Sequence, residues 1–93
     1  MEGLTEGRIV HYVMADGRNR GEDRPAIVVR VWRDAEGKPP ENGVSNLFVF
    51  VDGTNDYENL PRMDWSFIPG VWKTSIVHSA EHEFGTWHWI EKA

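Results

Sequence analysis

Turn-forming residues recur so often along this chain that no stretch is left free to form a long helix. Between them lie short apolar runs. The first, Arg8 to Met14, reads RIVHYVM and is rich in β-branched and aromatic side chains. On a strand, Ile9, His11 and Val13 face one side and Val10, Tyr12 and Met14 the other. Asp16-Gly17 and Gly21 then mark a turn, and Pro25 opens a second run, Ala26 to Arg33. There Ile27, Val29 and Val31 make an aliphatic face, opposite Val28, Arg30 and Trp32. Asp34 to Gly43, with its paired prolines and flanking glycines, is a polar turn. Leu47 to Val51, LFVFV, is the most apolar run, and its length and flanks favour a buried strand. Val71 to His78 alternates again, with Val71, Lys73, Ser75 and Val77 set against Trp72, Thr74, Ile76 and His78. A last short strand, Thr86 to Ile90, puts Trp87 and Trp89 on one face and His88 on the other.

This spacing predicts an all-β or mainly β fold in a single domain over residues 1–93. The expected form is a small antiparallel five-stranded barrel or a bent sheet, with one short irregular or helical insertion. The insertion falls between Gly53 and Gly70, where Tyr57 to Asp64 allows a helical turn before Pro69.

Composition removes several classes of function. Fifteen acids against ten bases disfavour a coat for long nucleic acids or anionic membranes. No apolar run approaches the roughly 20 residues of a membrane span. The opening MEGLTEGR lacks a basic and apolar leader pattern, so a cytosolic location is expected. There is no cysteine, so neither a disulfide nor a thiolate-held zinc supplements the core. A domain this small buries only about two-thirds of its unfolded surface, which makes a homo-oligomer, a dimer or tetramer, the expected state. The five tryptophans exceed what so thin a core absorbs, so one or two belong at an interface or binding face.

Candidate chemistry is sparse. His78-Ser79-Ala80-Glu81-His82 matches the H-x-x-E-H spacing of inverzincin metallopeptidases, with Glu83 and His88 nearby. The segment is too short for a catalytic helix, and on a loop the spacing has no meaning, so no metal site is expected. Ser45, Ser66, Ser75 and Ser79 coexist with four histidines, but none sits in a nucleophile elbow. No catalytic residue and no cofactor is expected. The loop Gly17 to Arg24 carries Arg18, Arg20 and Arg24 between glycines, a composition suited to phosphate; its bland alternative is a hairpin whose arginines pair with nearby acids. Asp52-Gly53-Thr54-Asn55-Asp56 lacks the order of a calcium loop and reads as a tight turn.

Several of these stretches carry a resemblance. Gly85-Thr86-Trp87-His88-Trp89-Ile90-Glu91 resembles the GTWHWPE ending of a family of small phage-encoded proteins. The run from Asn46 to Asp56 is similar to that family's N-L-x-V-F-x-D-G-[ST]-N-D stretch, and Val71 to Val77 to its tryptophan-then-TSV strand. Gly7 to Val13 also fits. Ile90 stands where the family usually has proline, the loop before Gly85 lacks the usual lysine–proline, and Tyr57 to Ile68 is longer.

The resemblance implies a phage source and a place in the cytoplasm of the infected bacterial host. Phage proteins of this size include sponges that soak up the nucleotide signals of CBASS and Thoeris defence. The expected function is therefore an anti-CBASS binding protein that sequesters a cyclic nucleotide without cleaving it. The alternative is a structural or accessory virion protein. In the first reading Tyr12, Trp65 or Trp72 stacks on bases, Arg18, Arg20 and Arg24 take phosphates, and Asn55, Thr74 and Ser75 add polar contacts. Stacking supplies about 1–3 kcal/mol per base, while nanomolar binding needs about 12 kcal/mol, so a closed pocket between subunits is expected.

Overall fold

The computed structural model describes residues 1–53, 55–56 and 69–91. Its strands are β1 (Ile9–Val13), β2 (Asp23–Val31), β3 (Ser45–Phe50), β4 (Gly70–Ile76) and β5 (Trp87–His88). They form one antiparallel sheet in the order β4-β3-β2-β1-β5. β4 and β5 lie at opposite edges, so the sheet is not closed into a barrel and the bent-sheet form is the one adopted. No helix occurs among the described residues. The helical turn expected over Tyr57 to Asp64 lies outside them. No helix is long and apolar enough to cross a membrane among the described residues.

The core sits on one face of the sheet. Val10, Tyr12 and Met14 from the first run, Ala26, Val28 and Val31 from β2, and Leu47 and Val49 from β3 are buried there with Leu4 and Trp87. Full burial of such side chains is worth about 1.5–3 kcal/mol each. The N-terminal segment lies over this face. Leu4 is buried in the core, and the Met1 ammonium donates to the Pro39 carbonyl at 2.9 Å. Glu6 forms a forked pair with Arg33 and also accepts the Val31 amide. Trp87 closes the cluster by donating its Nε1 proton to the Gly43 carbonyl at 2.9 Å. Gly43 has φ +68°, and a Cβ there would lie 2.8 Å from the Trp87 ring, so this approach requires glycine.

Two bulges correct the expected faces. Val28 pairs with Leu47 but Arg30 pairs with Asn46, so Val29 is an extra residue in β2. Simple alternation puts Val31 with Ile27 and Val29; the bulge instead moves Val31 to the core side and leaves Val29 exposed. Likewise Ser45 pairs with Ile76 while Leu47 pairs with Lys73, an extra residue in β4. Ser75 takes up the bend at φ 55°. Ile76 thereby packs against the core instead of sharing the outer face with Trp72. Asn46 braces both irregularities: its Oδ1 accepts from Ser75 N and from Trp32 Nε1, each at 2.9 Å.

The opposite face carries a row of apolar side chains. Ile9 pairs with Ile27, Ile27 with Phe48 and Phe48 with Trp72, so one line crosses four strands. Its ends are open, with Ile9 56% and Trp72 52% exposed.

Candidate functional site

The sequence-predicted residues fall into separate places. Tyr12 is in the core, where burial and then the Asp16 charge push its phenol above the ordinary value. Lys73 lies over its ring, 5.9 Å from the centroid.

Arg24 and Asn55 join a knot between the β1–β2 hairpin and the loop after β3. Its centre is Asp56, fully buried. Arg24 donates from Nε to Oδ2 at 2.9 Å and from Nη2 to Oδ1 at 2.7 Å. Asn19 Nδ2 adds a third bond at 3.0 Å and the Asp52 amide a fourth at 2.8 Å. The Arg24 bonds, with the Asn19 and Asp52 donors, hold the Asp56 carboxyl at about 2 against the opposing effect of burial. Arg24 is raised in turn, chiefly by the same bonds. Asn55 folds back on Asp52, its Nδ2 donating to Oδ2 at 2.8 Å. Arg20 donates to the Gly17 carbonyl at 3.1 Å, and Arg18 is exposed on the turn. The arginine loop is thus a docked hairpin, close to its bland reading, but its principal acid is Asp56 from the loop after β3.

Trp72, Thr74 and Ser75 lie on the edge strand β4. Thr74 and Ser75 sit beside the Ser45 end of β3, whereas the arginine hairpin sits beyond its Phe50 end. At about 3.4 Å per residue the two groups are roughly 17 Å apart. Among the described residues they do not form one pocket. Trp65 lies outside the described residues. Beside the β4 group, Trp32 is 40% exposed and the Arg30 guanidinium lies 4.6 Å from its ring centroid.

The segment His78 to His82 forms a bridge residue and a turn, not a helix. The His78 ring packs edge-on against Trp87 at 4.8 Å, and burial, with the nearby His88 and His82 rings, pushes it below its ordinary value. His82 turns away and stacks flat on His88 at 3.5 Å. The H-x-x-E-H spacing therefore presents no shared ligand face.

A different trio comes together. His11 on β1 pairs across the sheet with His88 on β5, and Asp23 opens β2 on the other side of β1. His11 Nδ1 is 3.5 Å from Asp23 Oδ2, and His88 Nε2 is 2.9 Å from Asp23 Oδ1. The three ligand-type atoms lie within 4.8 Å of one another. His88 is buried, and its Nδ1 lies 2.9 Å from the Trp89 carbonyl oxygen. Sequence reasoning missed this cluster because its members come from three strands. The one local signal was His88, set by alternation on the face opposite Trp87 and Trp89.

No known family model, curated protein or solved structure matches this chain.

Proposed function

We propose that this protein acts by binding, without catalysis, through the face of the sheet that points away from the core. The observation that carries the reading is the Ile9–Ile27–Phe48–Trp72 row, whose ends are more than half exposed. Contiguous apolar surface of this kind on a small domain marks an interaction site. The ligand class that fits is a cyclic nucleotide, held intact in the cytoplasm of an infected bacterial host, as the phage-like motifs imply. Trp72 and Trp32 offer exposed rings for base stacking, about 1–3 kcal/mol per base. Arg30, stacked on Trp32, brings positive charge for a phosphate, and Thr74 lies exposed near Trp72. The phosphate role expected of Arg24 passes to Arg30, because Arg24 is committed to Asp56. One open face falls short of the roughly 12 kcal/mol of a nanomolar complex. Two copies meeting across this face enclose the ligand, which makes the protein a homo-oligomer.

The test is to mix the protein with a panel of cyclic di- and trinucleotides and ADP-ribose isomers and follow thermal unfolding. The ligand is then released by heat and chromatographed. A raised midpoint with intact ligand returned supports the proposal. Converted ligand would show an enzyme, and no response across the panel would move the reading to a virion accessory role. Gel filtration giving a strict monomer with ligand present overturns the shared pocket.

A further inference from the structure

We propose that His11, Asp23 and His88 bind a divalent first-row transition-metal ion. His88 is buried, and each of its ring nitrogens faces an oxygen acceptor: the Trp89 carbonyl at Nδ1 and the Asp23 carboxylate at Nε2, both at 2.9 Å. A neutral imidazole has one N–H, so it satisfies one acceptor and turns a lone pair toward the other. With the proton on Nδ1, donated to the Trp89 carbonyl, the Nε2 lone pair and the carboxylate oxygen point at the same space. A cation placed there satisfies both.

The geometry suits such an ion. Metal–nitrogen and metal–oxygen bonds of about 2.0–2.2 Å place neighbouring ligand atoms roughly 3–3.5 Å apart. The two histidine–carboxylate separations are 2.9 and 3.5 Å, to different oxygens of Asp23, and all three ligand atoms lie within 4.8 Å, so a rotation of the part-exposed His11 or Asp23 side chain draws the widest pair in around an ion. The supporting contacts match as well. A ligating histidine commonly donates its second N–H to a carbonyl, as His88 Nδ1 is placed to do toward Trp89. The His82 ring stacks on His88 at an interplanar angle of 12° and fixes its plane. His82 itself is directed to Glu91, with Nε2 3.4 Å from Oε1.

The donor set selects the ion. Two imidazoles and one carboxylate suit zinc, cobalt, nickel or ferrous iron; magnesium and calcium prefer all-oxygen sites, and cuprous copper prefers sulfur. Three protein ligands leave coordination positions open. The side chains of His11 and Asp23 are 30% and 39% exposed, so those positions face solvent. Ile9 and His11 alternate onto the same side of β1, so the ion lies on the face that carries the apolar row. There it adds positive charge and an open site for an anionic oxygen in a chain of net charge −5.

The full chain, freed of metal by chelator, is titrated with Zn²⁺ and separately with Co²⁺. One ion per chain is expected, with a raised unfolding midpoint that chelator reverses. Histidine ¹⁵N spectra should show Zn²⁺ shifting His88 Nε2 and His11 Nδ1 strongly, and the ring nitrogens of His82 little. Asp23→Asn and His11→Ala should each weaken Zn²⁺ binding beyond the ~10–100-fold lost with a supporting contact. His82→Ala should weaken it within that range. Asp23→Asn preserves shape, so it decides the matter if His11→Ala fails to fold. Absence of stoichiometric binding, or undiminished binding by Asp23→Asn, overturns the proposal.

Discussion

Asp23 and Arg24 are neighbours on β2, yet each belongs to a different charged cluster, and the two clusters are built on opposite principles. Around Asp56, the carboxylate partner of Arg24, four donors meet two oxygens. Every strong acceptor direction is taken, and the group is fully buried. Around Asp23 two imidazoles meet the carboxylate, and the buried His88 has an acceptor at each nitrogen. The first cluster is closed and ties a hairpin to a loop. The second has unused coordinating capacity and an opening to solvent. A polar cluster that satisfies itself holds a fold together; one that does not has room for something else.

The same substitution breaks the two clusters differently. Asp56→Asn turns an amide toward a guanidinium and leaves Arg24, whose side chain is 16% exposed, with only the exposed Glu22 carboxylate as counter-charge. A loss of about 3 kcal/mol is expected, the lower part of the range for removing one partner of a buried pair. Urea denaturation measures it, and a loss below 1 kcal/mol would make the knot ornamental. Acid should reach the same cluster next. Asp56 is lowered from 3.8 to about 2, so the folded chain holds its proton more weakly than the unfolded chain. Its contribution is complete above pH 4 and disappears as pH falls through about 2. A shift of this size corresponds to roughly 2 kcal/mol. Thermal midpoints followed from pH 5 downward should show this drop in the native chain and a shallower one in Asp56→Asn.

Much of the fold was legible because side-chain alternation is local. Arg8 to Met14 and Leu47 to Val51 announced β1 and β3 through β-branched and aromatic content, and Val71 to His78 announced β4. β2 begins earlier than expected, at Asp23, with Pro25 inside it opposite His11. The bulges were not legible. Whether Val29 or Ser75 is the extra residue depends on the strand alongside, and Asn46, which braces both bends, looks in sequence like a simple strand flank. Neither cluster was legible for the same reason. Arg24 finds Asp56 from another loop, and the histidine pair exists only because β5 adds beside β1 rather than beside β4. An arginine-rich loop signals charge, but composition does not say whether that charge is already spent inside the fold.

Asp23→Asn is expected to act with the opposite sign. The new amide supplies the hydrogen that His88 Nε2 lacks when Nδ1 donates to Trp89. Without metal, stability should stay level or rise by up to about 1 kcal/mol, the worth of one satisfied hydrogen bond. Metal-free urea denaturation of the two Asp→Asn variants side by side is the measurement. Equal losses in both would mean that Asp23 is as fully committed as Asp56.

The smallest effect on stability is expected on the outer face. Tyr12 and Trp72 are both aromatic strand residues placed by alternation, but one is in the core and the other is 52% exposed. Trp72→Ser removes the end of the apolar row while keeping the backbone ladder to Phe48 and Val49. Substitutions away from core packing and buried polar groups stay within about 0.5 kcal/mol, so the urea midpoint should hardly move. The functional readouts should move. Ligand-induced thermal shift should be lost, and the elution volume of the assembled protein should move toward that of a monomer. A large stability loss would place Trp72 with the packing residues. An unchanged stability with unchanged assembly and ligand response would remove the outer face from the binding surface.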